Sequence, residues 1–319
     1  MSLLLSGSVA ARHPIGPWSD PSRDRVTEDT SLECPDKVTS RSGVFTAGLR
    51  DCCGQTHIGR VRDRNEDQFL IADLMKSVVV HHTSLSYEQE TELHGVSQGK
   101  LFLVADGVGG TPGGERASSI AVKSIVQYLQ DMMHWLFRRE AAREDQFLED
   151  LKSAVAWSQE QIRHTAEKSP RYARMGTTLT VAYLVWPTAY LVHVGDSRAY
   201  LCRGSKLLQL TRDQSIAQLL ADAGAIAADE VEHHHFRHVL GSVLSRNSSD
   251  LHPAVCKARL MEGDQLLLCT DGLTKHVNPL QIAGILASAS TAEQACHDLI
   301  AAANAAGGTD NITVVLARG

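Results

Sequence analysis

The chain has 319 residues, 43% of them hydrophobic and 21% charged, which is enough apolar material for one large domain or two small ones. A formal net charge of −6 excludes a global basic field of the kind that holds nucleic acid or an anionic membrane. No apolar run reaches the roughly 18 residues of a membrane helix, and the start MSLLLSGSVAARHP lacks the basic segment of a signal peptide.

Seven cysteines include no CxxC pair, and Cys202 and Cys269 lie inside apolar runs as buried thiols would, so a reducing cytoplasm is expected. Residues 1–45 are rich in Ser, Pro, Asp, Arg and Thr without periodicity, which predicts a disordered arm. From about Val44 the runs VFTAGLRD and THIGRVRDRNEDQFLIAD read as successive short strands. A polar stretch, His81–Gly99, interrupts before a strand at Lys100–Ala105.

Helical spacing of Ile120, Val122, Ile125, Val126 and Leu129 predicts a helix from about Gly114 to Leu136. Phe147, Leu148, Leu151, Val155 and Ile162 predict another from Glu144 to Glu167. A meander follows in TTLTVAYLVW, AYLVHVGD, SRAYLCRG and KLLQLT, punctuated by Gly and Pro. Residues 212–240 are polar and helix-like, and a hairpin near Glu262–Asp264 leads into QLLLCTDG. A final helix is predicted from the capping pattern Thr291–Gln294 to Gly307-Gly308, before the strand NITVVLAR. Strands in antiparallel runs with helices grouped between them argue for an α+β fold rather than a doubly wound parallel one.

Acidic residues recur at the strand ends. NED carries Glu66 and Asp67; Asp106, Asp196 and Asp271 each follow an apolar strand beside glycine; Asp310 follows a diglycine and precedes a strand. One Asp-Gly pair is an ordinary turn dipeptide, but five such places outweigh that reading. Charged groups at repeated strand ends cost desolvation unless paired or metal-bound. Carboxylates without His or Cys in the same motifs make an all-oxygen site suited to Mg²⁺ or Mn²⁺ rather than Zn²⁺.

These motifs resemble those of the metal-dependent protein Ser/Thr phosphatases (2C type, PPM), particularly the bacterial members. RVRDRNED, FLVADGVGGTPGGERAS, ARMGTTLT, VHVGDSRAYL, LLLCTDGL and GGTDNITVV follow in the family's order over roughly residues 46–318. The resemblance implies a four-layer α-β-β-α sandwich of two antiparallel sheets flanked by helices, with a flap at about 212–240. It implies hydrolysis of phosphoserine and phosphothreonine in proteins by a water bridging two Mn²⁺ or Mg²⁺ ions. Asp106 matches the carboxylate bridging both metals, the Gly107 carbonyl joins one of them, and Glu66, Asp271 and Asp310 match the other ligands. Asp196 with Asp271 matches a weaker third-metal site, and Arg62 the arginine that grips substrate phosphate. Asp67 and Asn311 read as supports that orient the ligands. The partners implied are phosphorylated proteins, including a cognate Ser/Thr kinase or its targets, with no nucleic acid or membrane and a monomeric enzyme.

Competing readings fail or stay subordinate. In DGVGGTPGG, position 112 is proline where a dinucleotide loop needs glycine, and Glu115 stands where a Walker loop needs lysine. His233, His234, His235 and His238 read as solvated flap histidines, with substrate contact or a metal as alternatives. A pseudoenzyme that binds without turnover is the reading from another class; the filled acidic positions oppose it.

Four departures from the family pattern stand out. Asp213-Gln214-Ser215 replaces DHS, Ser242 stands where an arginine is common, and Val108 takes the place of a histidine in DGH. The His81–Gly99 insertion is expected at the end of its hairpin away from the site.

Overall fold

The runs Leu101–Ala105 and Leu266–Cys269 leave no polar face, so a strand built from either must be covered on both sides. The computed structural model covers both; it describes residues 48–75, 77–80, 84, 91–94, 99–108, 113–131, 144–248 and 251–319. The 1–45 arm, most of the 81–99 insertion, residues 109–112 and the expected end of the first helix near Leu136 lie outside the described residues.

The chain begins with β1 (Asp51–His57) and β2 (Gln68–Leu74), then β3 (Ser77–Val80), β4 (Thr91–His94), β5 (Gly99–Ala105) and the short β6 (Gly107–Val108). Helices α1 (Gly113–Asp131) and α2 (Glu144–Lys168) precede β7 (Gly176–Thr177) and the meander of β8 (Leu179–Val185), β9 (Thr188–Val194), β10 (Arg198–Arg203) and β11 (Lys206–Gln209). After α3 (Ile216–Asp222) come β12 (Leu244–Ser245), β13 (Ala254–Arg259) and β14 (Gln265–Cys269). Helices α4 (Asp271–Thr274), α5 (Pro279–Ser288) and α6 (Ala292–Ala305) lead into β15 (Ile312–Arg318).

Two five-stranded sheets result, ordered β1-β15-β14-β10-β11 and β13-β9-β8-β5-β2, with antiparallel pairing throughout. The period of two along each strand divides its side chains between layers. On β5, Phe102 and Val104 face the other sheet and meet Leu266, Leu268, Val315 and Ala317. Leu101 and Leu103 face α1 and α2, packing with Ile125, Leu151 and Ile162. Across the second sheet, Leu267, Val314 and Leu316 pack on Ile282, Leu286 and Leu299 of α5 and α6. The order of layers is therefore helix, sheet, sheet, helix. Each fully buried Leu or Phe in it contributes about 1.5–3 kcal/mol.

Two sequence expectations need correction, and one helix was not expected. The segment near Glu262–Asp264 is not a hairpin: β13 pairs with β9, whereas β14 lies between β10 and β15 in the other sheet. Apolar, fully buried β14 needs a neighbour on each side, whereas half-exposed β13 suits an edge, so the turn carries the chain across the sandwich. The first described strand is Asp51–His57, straddling the two runs read as strands, because full-length pairing with β15 selects this half-buried edge segment. Helix α5 went unrecognised although Asn278, Pro279 and Gln281 spell its start: the Asn278 side chain accepts from Gln281 N, and Gln281 Oε1 accepts from Asn278 N.

The β2–β5 register pairs Gln68 with Ala105 and Leu74 with Gly99, so the insertion leaves the sandwich at the end opposite Asp67 and Asp106. There β3 and β4 pair as a separate two-stranded ladder.

Candidate metal centre

At the other end of the sandwich the acidic residues gather around one cavity of about 630 Å³. Arg62, Glu66, Asp106, Gly107, Asp196, Asp271 and Asp310 all line it, as does Asn311; Asp67 is buried at 2% exposure. Each arrives from a different part of the fold. Asp106 sits between β5 and β6, Asp196 just past β9, Asp271 at the first position of α4 after β14, and Asp310 just before β15.

Local hydrogen bonds fix these positions. The Asp106 backbone is held by Thr177 and Thr178: Thr177 Oγ1 and Thr178 N donate to its carbonyl at 2.8 and 2.9 Å, and its N–H donates to Thr178 Oγ1 at 3.1 Å. Asn311 staples the loop bearing Arg62 and Glu66. Its Nδ2 donates to Ile58 O and Arg64 O at 2.9 and 2.8 Å, and its Oδ1 accepts from Glu66 N at 2.8 Å. Asp67 Oδ2 accepts from Thr270 Oγ1 and Thr313 Oγ1 at 2.9 and 2.6 Å. Glycine makes the tightest approach possible. A Cβ on Gly114, in the first turn of α1, would stand 2.5 Å from Glu66 Oε2, and one on Gly107 would stand 2.5 Å from the Gly114 backbone.

The electrostatics are those of crowded carboxylates. Burial, reinforced by Asp67, Asp271, Asp196 and Asp310, drives the Asp106 pKa well above the usual carboxylate range. Burial, with Asp271 and Asp310 adding to it and the threonine hydrogen bonds opposing it, puts Asp67 at about 7, and burial with Asp271 and Asp213 nearby puts Asp196 at about 7. Glu66 is raised by burial as well. Asp310 departs in the other direction: burial opposes its ionisation, but hydrogen bonds from Lys275 and Arg62 outweigh it.

Two side-chain cations supply that relief. Arg62 forks onto Asp310, Nε to Oδ1 at 2.8 Å and Nη2 to Oδ2 at 3.0 Å, and not onto its sequence neighbours Asp63 or Glu66. Lys275 Nζ lies 2.6 Å from Asp271 Oδ2 and 2.7 Å from Asp310 Oδ2. Sequence reasoning gave Lys275 no role, although its place four residues after Asp271 at the end of α4 was a legible signal.

The flap supplies further wall. Within 212–240 the structure has α3, capped by Ser215, and a 3₁₀ turn at Ala228–His233; a bridge from Ser215 to Leu240 closes the segment. His238 and Leu240 line the cavity. The rings of His234, His235 and Phe236 cluster with centroids 3.8–5.5 Å apart, His234 and His235 stacked and Phe236 tilted against both. Asp213, in the departed DHS motif, is held by Arg198 through three hydrogen bonds of 2.6–3.0 Å.

The residues fit a hard divalent ion. All candidate donors are oxygens, and the buried Asp271 Oδ1 and Asp67 Oδ1 accept no hydrogen bond from the described residues. Among the described residues no three acidic, histidine or cysteine side chains form a ready-made ligand set; Lys275 and Arg62 hold Asp271 and Asp310 instead.

Comparison with known proteins agrees with this geometry. The profile of the family Protein phosphatase 2C matches residues 87–310, and the chain belongs to that family. It is 34% identical over 218 residues to the serine/threonine protein phosphatase PstP of Mycobacterium tuberculosis, a match covering 68% of this chain and 40% of PstP. It is 31% identical to the protein phosphatase PhpP of Streptococcus pneumoniae, covering 68% of this chain and 84% of PhpP. A solved structure of the PstP catalytic domain in complex with two manganese ions superposes with a TM-score of 0.63 at 29% identity, covering 84% of this chain and 97% of that one. The chain thus spans about 40% of the mycobacterial PstP length.

Proposed function

We propose that this chain is a metal-dependent protein phosphatase that removes phosphate from phosphoserine and phosphothreonine, reversing a Ser/Thr kinase. The observation that carries the reading is the convergence of Glu66, Asp106, Asp196, Asp271 and Asp310, from five separate strand ends, on one cavity that also holds Arg62. The likeness to the protein phosphatases PstP and PhpP supports it.

Glu66, Asp106, Asp271, Asp310 and the Gly107 carbonyl would hold two Mn²⁺ or Mg²⁺ ions, and Asp196 with Asp271 a weaker third. Bound there, the ions would supply a nucleophile at neutral pH and neutralise charge on the phosphoryl group. The chain's own residues do the rest. Asp106, clamped by Thr177 and Thr178, is fixed in direction before any ligand arrives. Arg62 already presents two parallel N–H donors, and the geometry it uses on Asp310 is the geometry that grips two phosphate oxygens. Val61, 64% exposed at the mouth of the cavity, gives a peptide an apolar edge beside that fork.

We assign the work to the cytoplasm, where the six cysteines among the described residues, all free thiols, would stay reduced. No helix among the described residues is long and apolar enough to cross a membrane. The substrates are phosphorylated proteins, a cognate kinase or its targets among them, and the enzyme acts as a monomer without nucleic acid.

The test is hydrolysis of a phosphothreonine peptide by metal-stripped protein with and without Mn²⁺. Turnover that needs the ion supports the reading. Mn²⁺ uptake and peptide binding without turnover would favour a pseudoenzyme.

A further inference from the structure

Lys275 has no part in the reaction outlined above, yet it occupies the middle of the acidic cluster. Asp271 opens α4 and Lys275 follows its last residue, so the long side chain folds back along one helical turn toward Asp271. Its ammonium meets Asp271 Oδ2 at 2.6 Å and Asp310 Oδ2 at 2.7 Å, joining α4 to the residue that precedes β15. All three side chains are mostly enclosed, with 24% of Lys275, 18% of Asp271 and 17% of Asp310 exposed. Burial works against the ammonium, but the two carboxylates outweigh it and keep it charged.

That arrangement imitates what a divalent ion would do. A single positive centre shared by carboxylates from two elements, within the cavity wall, is the contact pattern of a bridging cation. A divalent ion on the same Oδ2 atoms, at the roughly 2.0–2.1 Å of Mg²⁺, would be repelled by an ammonium still hydrogen-bonded to both, because the two cations would be forced together.

We propose that Lys275 is a tethered cation that competes with one divalent ion for Asp271 and Asp310. It holds the centre together before metal arrives and must swing aside when that ion binds. Its four-carbon stem permits the movement without displacing α4. The consequence is unequal affinity: the ion that displaces Lys275 binds more weakly than an ion that does not compete with it for Asp271 and Asp310. This rests on the metal-centre reading given under Proposed function.

Mn²⁺ titration of the metal-stripped full chain, followed by calorimetry and by electron paramagnetic resonance, tests it. Lys275→Met keeps the stem and loses the charge; Lys275→Arg keeps the charge. The unaltered protein should show a tight and a weak class of Mn²⁺ site. Lys275→Met should tighten the weak class at least tenfold, and Lys275→Arg should not. Thermal unfolding should move in opposite directions for Lys275→Met, downward in EDTA and upward in saturating Mn²⁺, which a merely structural lysine would not produce. Unchanged or weaker Mn²⁺ binding by Lys275→Met overturns the competition. If that variant fails to fold, Lys275→Gln carries the same comparison. No Mn²⁺ uptake by the unaltered protein would refute the metal centre itself, and with it this proposal.

Discussion

Replacing Asp67 by asparagine should stabilise the metal-free protein at alkaline pH while weakening its hold on metal. Asp67 is 2% exposed, accepts from Thr270 and Thr313 through Oδ2, and leaves Oδ1 without a partner. Burial foremost, with Asp271 and Asp310 adding to it, puts its pKa at about 7 against an ordinary 3.8. A carboxyl whose native pKa is raised lends its stability below the unfolded pKa and loses it as pH rises through the native one. Three pKa units correspond to about 4 kcal/mol by pH 8. The amide group that asparagine would leave unpaired brings the net gain to about 2 kcal/mol. That is a rise of about 5 °C in Tm for a domain of this size. Thermal unfolding in EDTA at pH 5 and pH 8 measures it: the variant should match the parent at pH 5 and exceed it at pH 8. Equal melting of the two proteins at pH 8 would refute the argument that a buried charge at Asp67 is tolerated only for the sake of a cation.

Other expectations follow from the same geometry. Asp106→Asn and Asp271→Asn should each lower kcat toward a phosphopeptide by at least about 10²-fold, since each would remove charge from the proposed ligand set, and EDTA should abolish the parent's turnover; full activity after metal stripping contradicts this. His193 is buried between Thr180 Oγ1 and the Gly195 carbonyl, and burial lowers its pKa from 6.5 to about 4. The unfolded chain therefore takes up a proton before the native one does, and stability should fall by about 3 kcal/mol as pH drops from 6.5 to 4. His193→Gln should flatten that part of the stability profile; an unchanged slope would assign the loss to other groups. Val108 lines the cavity and carries no proton to give, so kcat/KM should fall steeply as leaving-group pKa rises across aryl and alkyl phosphates. Val108→His should flatten the slope, and a flat slope in the unaltered protein would mean that another acid operates, with His57 and the cavity-lining His238 the next to test.

The layers of the sandwich were legible because burial on both faces of β5, β8 and β14 leaves an unmistakable pattern, an apolar run bounded by glycine or a turn. What failed were pairings. Local sequence around Glu262–Asp264 looks the same whether the turn closes a hairpin or passes β14 to the second sheet; only the partners of β13 and β14 decide it. Edge strand β1 was misplaced for a related reason, since its half-buried residues DCCGQTH carry no alternation and its limits come from β15.

The centre divides along the same line. Asp106, Asp196, Asp271 and Asp310 were readable because each ends or begins a core strand, and a charge at such a place needs an explanation the surrounding sequence cannot hide. The side chains that pair with them were less so. Arg62 is matched from the sequence to an arginine that grips phosphate, but nothing local shows that Asp310, 248 residues away, takes its fork; Lys275 is given no role although its helical spacing from Asp271 is in view. The walls around Val61, His238 and Leu240 come from loops and the flap, where no periodicity constrains identity. On the proposed function, the rigid strand ends would fix where phosphate chemistry occurs, and the exposed walls would choose the protein that brings the phosphate. The departures at Asp213-Gln214-Ser215 and Ser242 fall in the flap segment or just beyond it. Substitutions there should therefore alter KM for phosphopeptides more than kcat for a small aryl phosphate.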